Sequence, residues 1–231
     1  MAFNFSPKTV TKGLVLYIDA GNPKSYVSGS TIVTDLVGTQ NGTLTNGVGY
    51  SSTAGGCFTF DGANDYIDFG INTKIQPTAA RTISMWIFVD SSNLVGVFYS
   101  DGNFYTGLNG NTMWVDTGGY RTSVGNATSN QLIQHTGYIG GTPNMRGSWY
   151  YMTVSFNGTT AKSYFNGTLI NTYAQTIIPT NGVYPTILGT ANGGSTWWLK
   201  GNISQCKIYN RALSDAEVLQ NYNVTKNRFG L

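Results

Sequence analysis

The chain has 231 residues, of which 10% are charged and 13% aromatic, and its formal net charge is +3. So many rings exclude a disordered chain, and basic residues strung singly from Lys8 to Arg228 exclude a clustered phosphate-binding face. No apolar run approaches the roughly 20 residues needed to cross a bilayer, and the first eight residues lack a signal peptide's apolar core, so folding in a cytoplasm is expected.

Polarity comes instead from 30 Thr, 23 Asn and 30 Gly, the composition of many short strands joined by tight turns. An arm over residues 1–12 leads into Leu14-Val15-Leu16-Tyr17-Ile18-Asp19, the first strand. Cys57 to Asp61 and Tyr66 to Phe69 flank a polar turn at Gly62-Ala63-Asn64. Thr82 to Val89 alternates with period two, and both faces are apolar (Ile83, Met85, Ile87 and Val89 against Trp86 and Phe88), which predicts a central strand. Trp149–Phe156, Ala161–Phe165 and Leu169–Tyr173 are separated by Asn157-Gly158 and Asn166-Gly167. Asn-Gly tolerates the positive φ of hairpin turns, so these three form a meander. Near the end, Ser214-Asp215-Ala216-Glu217 is a capping box followed by Val218, Leu219 and Tyr222 at helical spacing; this helix is expected to cover one end of the fold. Nothing reads as a linker, so one domain is expected over 13–222, with a tail over 223–231. Cys57 and Cys206, 149 positions apart, are expected to be reduced and buried. Cys206 shares parity with Ile208 and should face the core; Cys57 should face away from the side that Phe58 and Phe60 fill.

Three ordered segments carry a resemblance: Gly13-Leu14-Val15-Leu16-Tyr17-Ile18-Asp19-Ala20-Gly21-Asn22-Pro23, Phe58-Thr59-Phe60-Asp61-Gly62-Ala63-Asn64-Asp65-Tyr66-Ile67, and Gly201-Asn202-Ile203-Ser204 through Ile208-Tyr209-Asn210-Arg211-Ala212-Leu213-Ser214 with the helix. With the Tyr164-Phe165-Asn166-Gly167 hairpin, the chain resembles laminin G-like (concanavalin A-like lectin/glucanase) domains over residues 13–222. It is most similar to those in tailed-bacteriophage structural proteins, cyanophages included, which the Phe5-Ser6-Pro7-Lys8 arm and the Tyr222-to-Leu231 end also resemble. The resemblance implies an all-β, two-sheet antiparallel jelly-roll sandwich. It further implies a virion component, a capsid decoration or a fibre or tail protein assembled in the host cytoplasm among other virion proteins and in several copies. The alternative is an adhesin module that recognises host-surface carbohydrate. Fold alone does not choose between them.

Hydrolases of this fold work with paired carboxylates, whereas Glu217 is the only glutamate and the capping box accounts for it. Asp61, Asp65 and Asp68 sit where turns favour Asp, and His135, the only histidine, has no nucleophile signature beside it. No catalytic residue, metal or other cofactor is therefore expected. A Ca²⁺ held by Asp61, Asn64 and Asp65 is the alternative, set against the ordinary turn chemistry of the same residues. Sugars stack on aromatic faces, which makes Trp114, Tyr120, Tyr138, Asn144 and Trp197 the glycan-binding candidates (Tyr105 lies in the same Gly-rich stretch), although core packing competes for each. The arms offer Phe3, Phe5, Tyr222 and Phe229 as candidate anchors to partner proteins.

Overall fold

The Asn-Gly and Gly-rich turns divide the chain into strands too short to bury both faces alone, so they pair into two sheets that bury one face against each other. The computed structural model describes residues 8–76, 80–103, 109–117, 119–126, 128–135, 146–180, 182–191 and 197–231. In chain order the strands are β1 Leu14–Asp19, β2 Ile32–Val33, β3 Gly42–Thr45, β4 Gly49–Ser51, β5 Cys57–Asp61, β6 Tyr66–Asp68, β7 Arg81–Val89 and β8 Gly96–Ser100. They continue as β9 Gly110–Asp116, β10 Gly119–Gly125, β11 Asn130–His135, β12 Trp149–Phe156, β13 Thr160–Phe165, β14 Thr168–Ala174, β15 Ile187–Leu188 and β16 Lys200–Tyr209. Helix α1 spans Asp215–Thr225, and a 3₁₀ turn, Lys226–Phe229, follows it.

The first sheet runs β14-β13-β12-β7-β16-β5-β4, with β1 also on β16; the second runs β11-β10-β9-β8-β15-β6-β3-β2. Strand β7 is central, as its two apolar faces predict, and β12-β13-β14 is the predicted meander. In its second turn Asn166 and Gly167 both take positive φ, 49° and 77°. The first turn is built differently: the Asn157 side chain accepts the Thr159 and Thr160 amides, and Asn157 itself is not among the positive-φ residues. Between the sheets lie Leu16, Ile18, Phe58, Ile83, Met85, Phe98, Met113, Val154 and Cys206, all buried. The thiols are unbridged and buried. Cys206 joins this core, whereas Cys57 lies outside it, as their parities require.

Crossing that core is one polar bridge. The fully buried Arg81 guanidinium donates to Asn111 Oδ1 at 2.5 and 3.1 Å and lies 3.9 Å above the Phe156 ring. Asn111 donates from its backbone and its amide to Asp101, and Tyr99 Oη donates to Asp101 Oδ2 at 2.8 Å. Burial lowers Arg81 to about 10 and raises Asp101.

The outer face of the first sheet is not left to solvent. The capping box forms as predicted: Ser214 Oγ accepts the Glu217 amide and Glu217 accepts the Ser214 amide. The helix then lies across this face, not over one end as expected, because the face carries the aromatic and hydroxyl groups that the helix covers. Phe229 stacks on Trp86 with ring centroids 3.8 Å apart and planes at 15°, Thr225 Oγ1 accepts Trp86 Nε1 at 2.8 Å, and Tyr222 lies against Trp86 and Tyr151. Arg228 pairs with Asp19 at 2.7 Å and donates to the Ala54 and Gly56 carbonyls and to Ser204 Oγ. At the chain's other end, Asn221 accepts the Val10 amide and Gln220 donates to the Lys8 carbonyl. Tyr222 and Phe229, expected to anchor partners, thus pack on their own domain, where both stay partly exposed. Phe3 and Phe5 lie outside the described residues.

Beneath this cover sits Lys207, fully buried. It donates to Gln205 Oε1 and has the Tyr17 ring at 4.6 Å and the Tyr151 ring at 6.0 Å; Asp19 and Arg228 complete its charged surroundings. Desolvation lowers its ammonium from 10.5 to about 8. The folded state therefore binds this proton more weakly than the unfolded chain. The resulting penalty is fully present below pH 8 and fades as pH rises toward the unfolded value. Lys207→Met is expected to be more stable than the parent at pH 7 by on the order of 2 kcal/mol. Urea titrations should show that difference closing between pH 8 and 10, and a difference constant with pH would overturn the assignment.

Candidate functional site

Along β9, Met113 and Val115 enter the core, so the period-two alternation turns Trp114 to the outer face of the second sheet. Its cross-strand neighbours are Val97 on β8 and Arg121 on β10. Trp114 is only 5% exposed: it packs with Val97 and Ala191, and Trp197 lies over it at 6.4 Å with the planes at 56°. The fold brings these two tryptophans, 83 positions apart in the chain, together.

Trp197 is the exposed member, at 37%. Its φ is 53°, in the left-handed region that bulky side chains avoid at about 1–2 kcal/mol. Its carbonyl accepts the Val97 amide at 2.9 Å, which ties the strained residue to the sheet. Polar groups fix the platform below. Asp116 Oδ2 accepts Trp114 Nε1 at 3.3 Å and pairs with Arg121 Nε at 2.6 Å. Arg146 reaches in from the far side of the sequence and donates to the Asn93, Leu94 and Asp116 carbonyls. Sequence reasoning missed Asp116, Arg121 and Arg146, because single polar residues in a Gly-rich stretch carry no spacing signal.

Tyr120 does not join the platform. It is fully buried between Phe98 and Phe165, and its hydroxyl accepts from Thr122. It shares parity with Val124, on the core side of β10. Tyr138, Asn144 and Tyr105 lie outside the described residues.

All ten carboxylates are engaged structurally. Asp35, Asp61, Asp65, Asp68 and Asp90 accept backbone amides of their own turns. Asp19, Asp116 and Asp215 pair with Arg228, Arg121 and Lys162, and Asp101 belongs to the core bridge. Arg211, at 2.5 Å, holds Glu217 down to about 2. At the turn considered for Ca²⁺, Asp65 Oδ2 faces the Asp61 amide, Asp61 Oδ1 faces the Ala63 amide, and the Asn64 carbonyl accepts from Asn46. These oxygens serve the turn's own hydrogen bonds, and no group of three His, Cys, Asp or Glu side chains placed to hold a metal occurs among the described residues.

A sequence profile of the concanavalin A-like lectin/glucanases superfamily matches residues 61–219. The chain belongs to this superfamily. No curated protein sequence matches it. The superfamily fold recurs in the binding domain of Paraclostridial Mosquitocidal Protein 1 (TM-score 0.69, 19% identity, 91% of this chain and 52% of that one). It recurs in domain 4 of AbnA, a GH43 extracellular arabinanase of Geobacillus stearothermophilus solved with arabinotriose (0.66, 15%, 90% and 98%). It is found again in the Trypanosoma rangeli sialidase solved with sialic acid (0.66, 12%, 95% and 34%). This superfamily member thus spans about half the length of the toxin binding domain and a third of the sialidase. The same fold serves in binding domains and within enzymes.

Proposed function

We propose that this superfamily member is a carbohydrate-binding module without catalytic activity, and that Trp197 is the ring on which a sugar stacks. The observation that carries the reading is an exposed tryptophan held in a strained backbone conformation above a second, buried tryptophan. Strain of this kind persists where the surroundings over-determine it, and it concentrates at ligand clamps. A rigid indole presents a large apolar face at little entropic cost, as a hot spot does. The engagement of every carboxylate in a turn, an ion pair or the core bridge supports the non-enzymatic half, since glycosidases need two free to exchange protons or form a glycosyl bond. The fold's use in toxin binding domains and in an arabinotriose-bound module is compatible with it.

For its setting we propose a virion component present in several copies, where weak single-site binding adds up through multivalency. That setting rests on the resemblance of the whole chain to phage structural proteins. Mass spectrometry of purified particles tests it separately.

The sugar reading is tested on an oligosaccharide array and by calorimetry. The parent protein is expected to bind at least one oligosaccharide class, and Trp197→Ala to lose at least tenfold in affinity with its thermal midpoint moved by less than about 2 °C. Equal binding by parent and variant, or no binding across the array, would overturn it.

A further inference from the structure

Among the described residues, the first sheet ends at β4 and the second at β2. Where the loops leading to these edges approach one another, a cleft of about 310 Å³ opens, at the lower end of the range for small-molecule sites. Tyr26 forms its floor: it packs edge-on against Phe58 at 4.9 Å and is pinned by its hydroxyl to the Ser30 carbonyl at 3.1 Å. Tyr50 stands at the mouth, 37% exposed, its ring 5.5 Å from that of Tyr26 and tilted by 40°. Leu44 and Val48 supply an aliphatic wall, and Ser28 and Thr31 the polar rim.

None of the ten lining residues is charged. A phosphate, carboxylate or ammonium desolvated in such a cleft would find no counter-charge. The aromatic and aliphatic surfaces suit the C–H face of a ring, while the Ser28, Thr31 and Tyr50 hydroxyls, which make no hydrogen bond among the described residues, are left to meet ligand hydroxyls. We propose that this cleft is a second ligand site, separate from the Trp197 platform, and that it takes the neutral terminal sugar of a glycan. The two tyrosines hold the ring and the three hydroxyls read its substituents. The site uses no residue of the platform, so it stands or falls independently. A peptide strand added to β4 is the competing occupant, but that edge is three residues long, Gly49–Ser51, and offers little ladder.

The test is an amide-resolved NMR titration of the full chain with the methyl glycosides of glucose, galactose and arabinose, with methyl glucuronide as the anionic control. At least one neutral glycoside is expected to give saturating shifts at Ser28, Thr31, Gly49 and Tyr50, with a dissociation constant on the order of millimolar. Tyr50→Ala should weaken it at least tenfold, Tyr50→Phe and Thr31→Val by smaller factors, and Trp197→Ala should leave these shifts unchanged. The two conservative variants carry the test should Tyr50→Ala fail to fold. Absence of saturating shifts at these amides, tighter binding of the glucuronide, or displacement of the glycoside by a β-strand pentapeptide would each overturn the proposal.

Discussion

A chain ended at Thr225 is expected to lose about 4 kcal/mol of stability, though the six residues removed belong to no strand. Breaking a largely buried ion pair from one side costs roughly 3–5 kcal/mol, and Arg228 is such a partner: it meets Asp19, two carbonyls and the Ser204 hydroxyl at once. Removing Phe229 exposes part of Trp86 as well, at the lower end of the roughly 1.5–3 kcal/mol for burying such a side chain. Partial hydration of Lys207 offsets some of this. For a domain of this size the thermal midpoint should fall by about 8–16 °C, and Arg228→Ala alone should reproduce more than half of the drop. Calorimetry on the two variants checks it. A midpoint within 2 °C of the parent would mean that the tail is held only loosely and is free for a partner, as the sequence alone suggests.

The second large effect lies in the core bridge. Asp101→Ala removes the carboxylate that favours the buried Arg81 cation through Asn111 and strips Asn111 and Tyr99 of an acceptor, so a loss of roughly 3–5 kcal/mol is expected in urea unfolding. The double replacement Arg81→Met with Asp101→Leu should recover part of it, because it removes the buried charge while Asn111 and Tyr99 still lack their acceptor. If the single variant costs less than about 1 kcal/mol, the bridge does not hold the sheets together.

What could be read in the sequence follows from what leaves a local trace. Period two in Thr82–Val89 placed β7 at the centre of its sheet, and Ser214 with Glu217 placed the helix start, since a capping box is a contact between residues three apart. The parities of Cys57 and Cys206 gave their faces for the same reason. The covering of an outer sheet face is not a local property: nothing near Lys207 announces that residues 225–229 will lie over it, and its alternation alone suggests a solvated lysine. Tyr120 failed as a sugar candidate because an irregular, Gly-rich stretch conceals its parity, and the structure puts it on the core side. For the Trp114–Trp197 pair, composition supplied the residues, and only the fold supplied their meeting. The Tyr26–Tyr50 cleft left no trace, since it is made of three loop and edge segments whose residues are individually ordinary.

The clasp between residues 8–10 and 220–221 bears on how the domain carries mechanical load. Leu14 at the start of β1 pairs with Tyr209 at the end of β16. With the tail freed from Asp19, tension applied through residues on either side of this antiparallel pair pulls it from the same end, so it opens like a zipper, one pair of bonds at a time, and does not shear as a block. Once the Arg228–Asp19 pair and the Phe229–Trp86 stack nearer the chain end have yielded, the next links in that line are the Asn221–Val10 and Gln220–Lys8 hydrogen bonds and the Tyr209 hydroxyl on the Val10 carbonyl. A module held at one end and pulled through a ligand on the second sheet is loaded along a different line, one that bypasses the clasp.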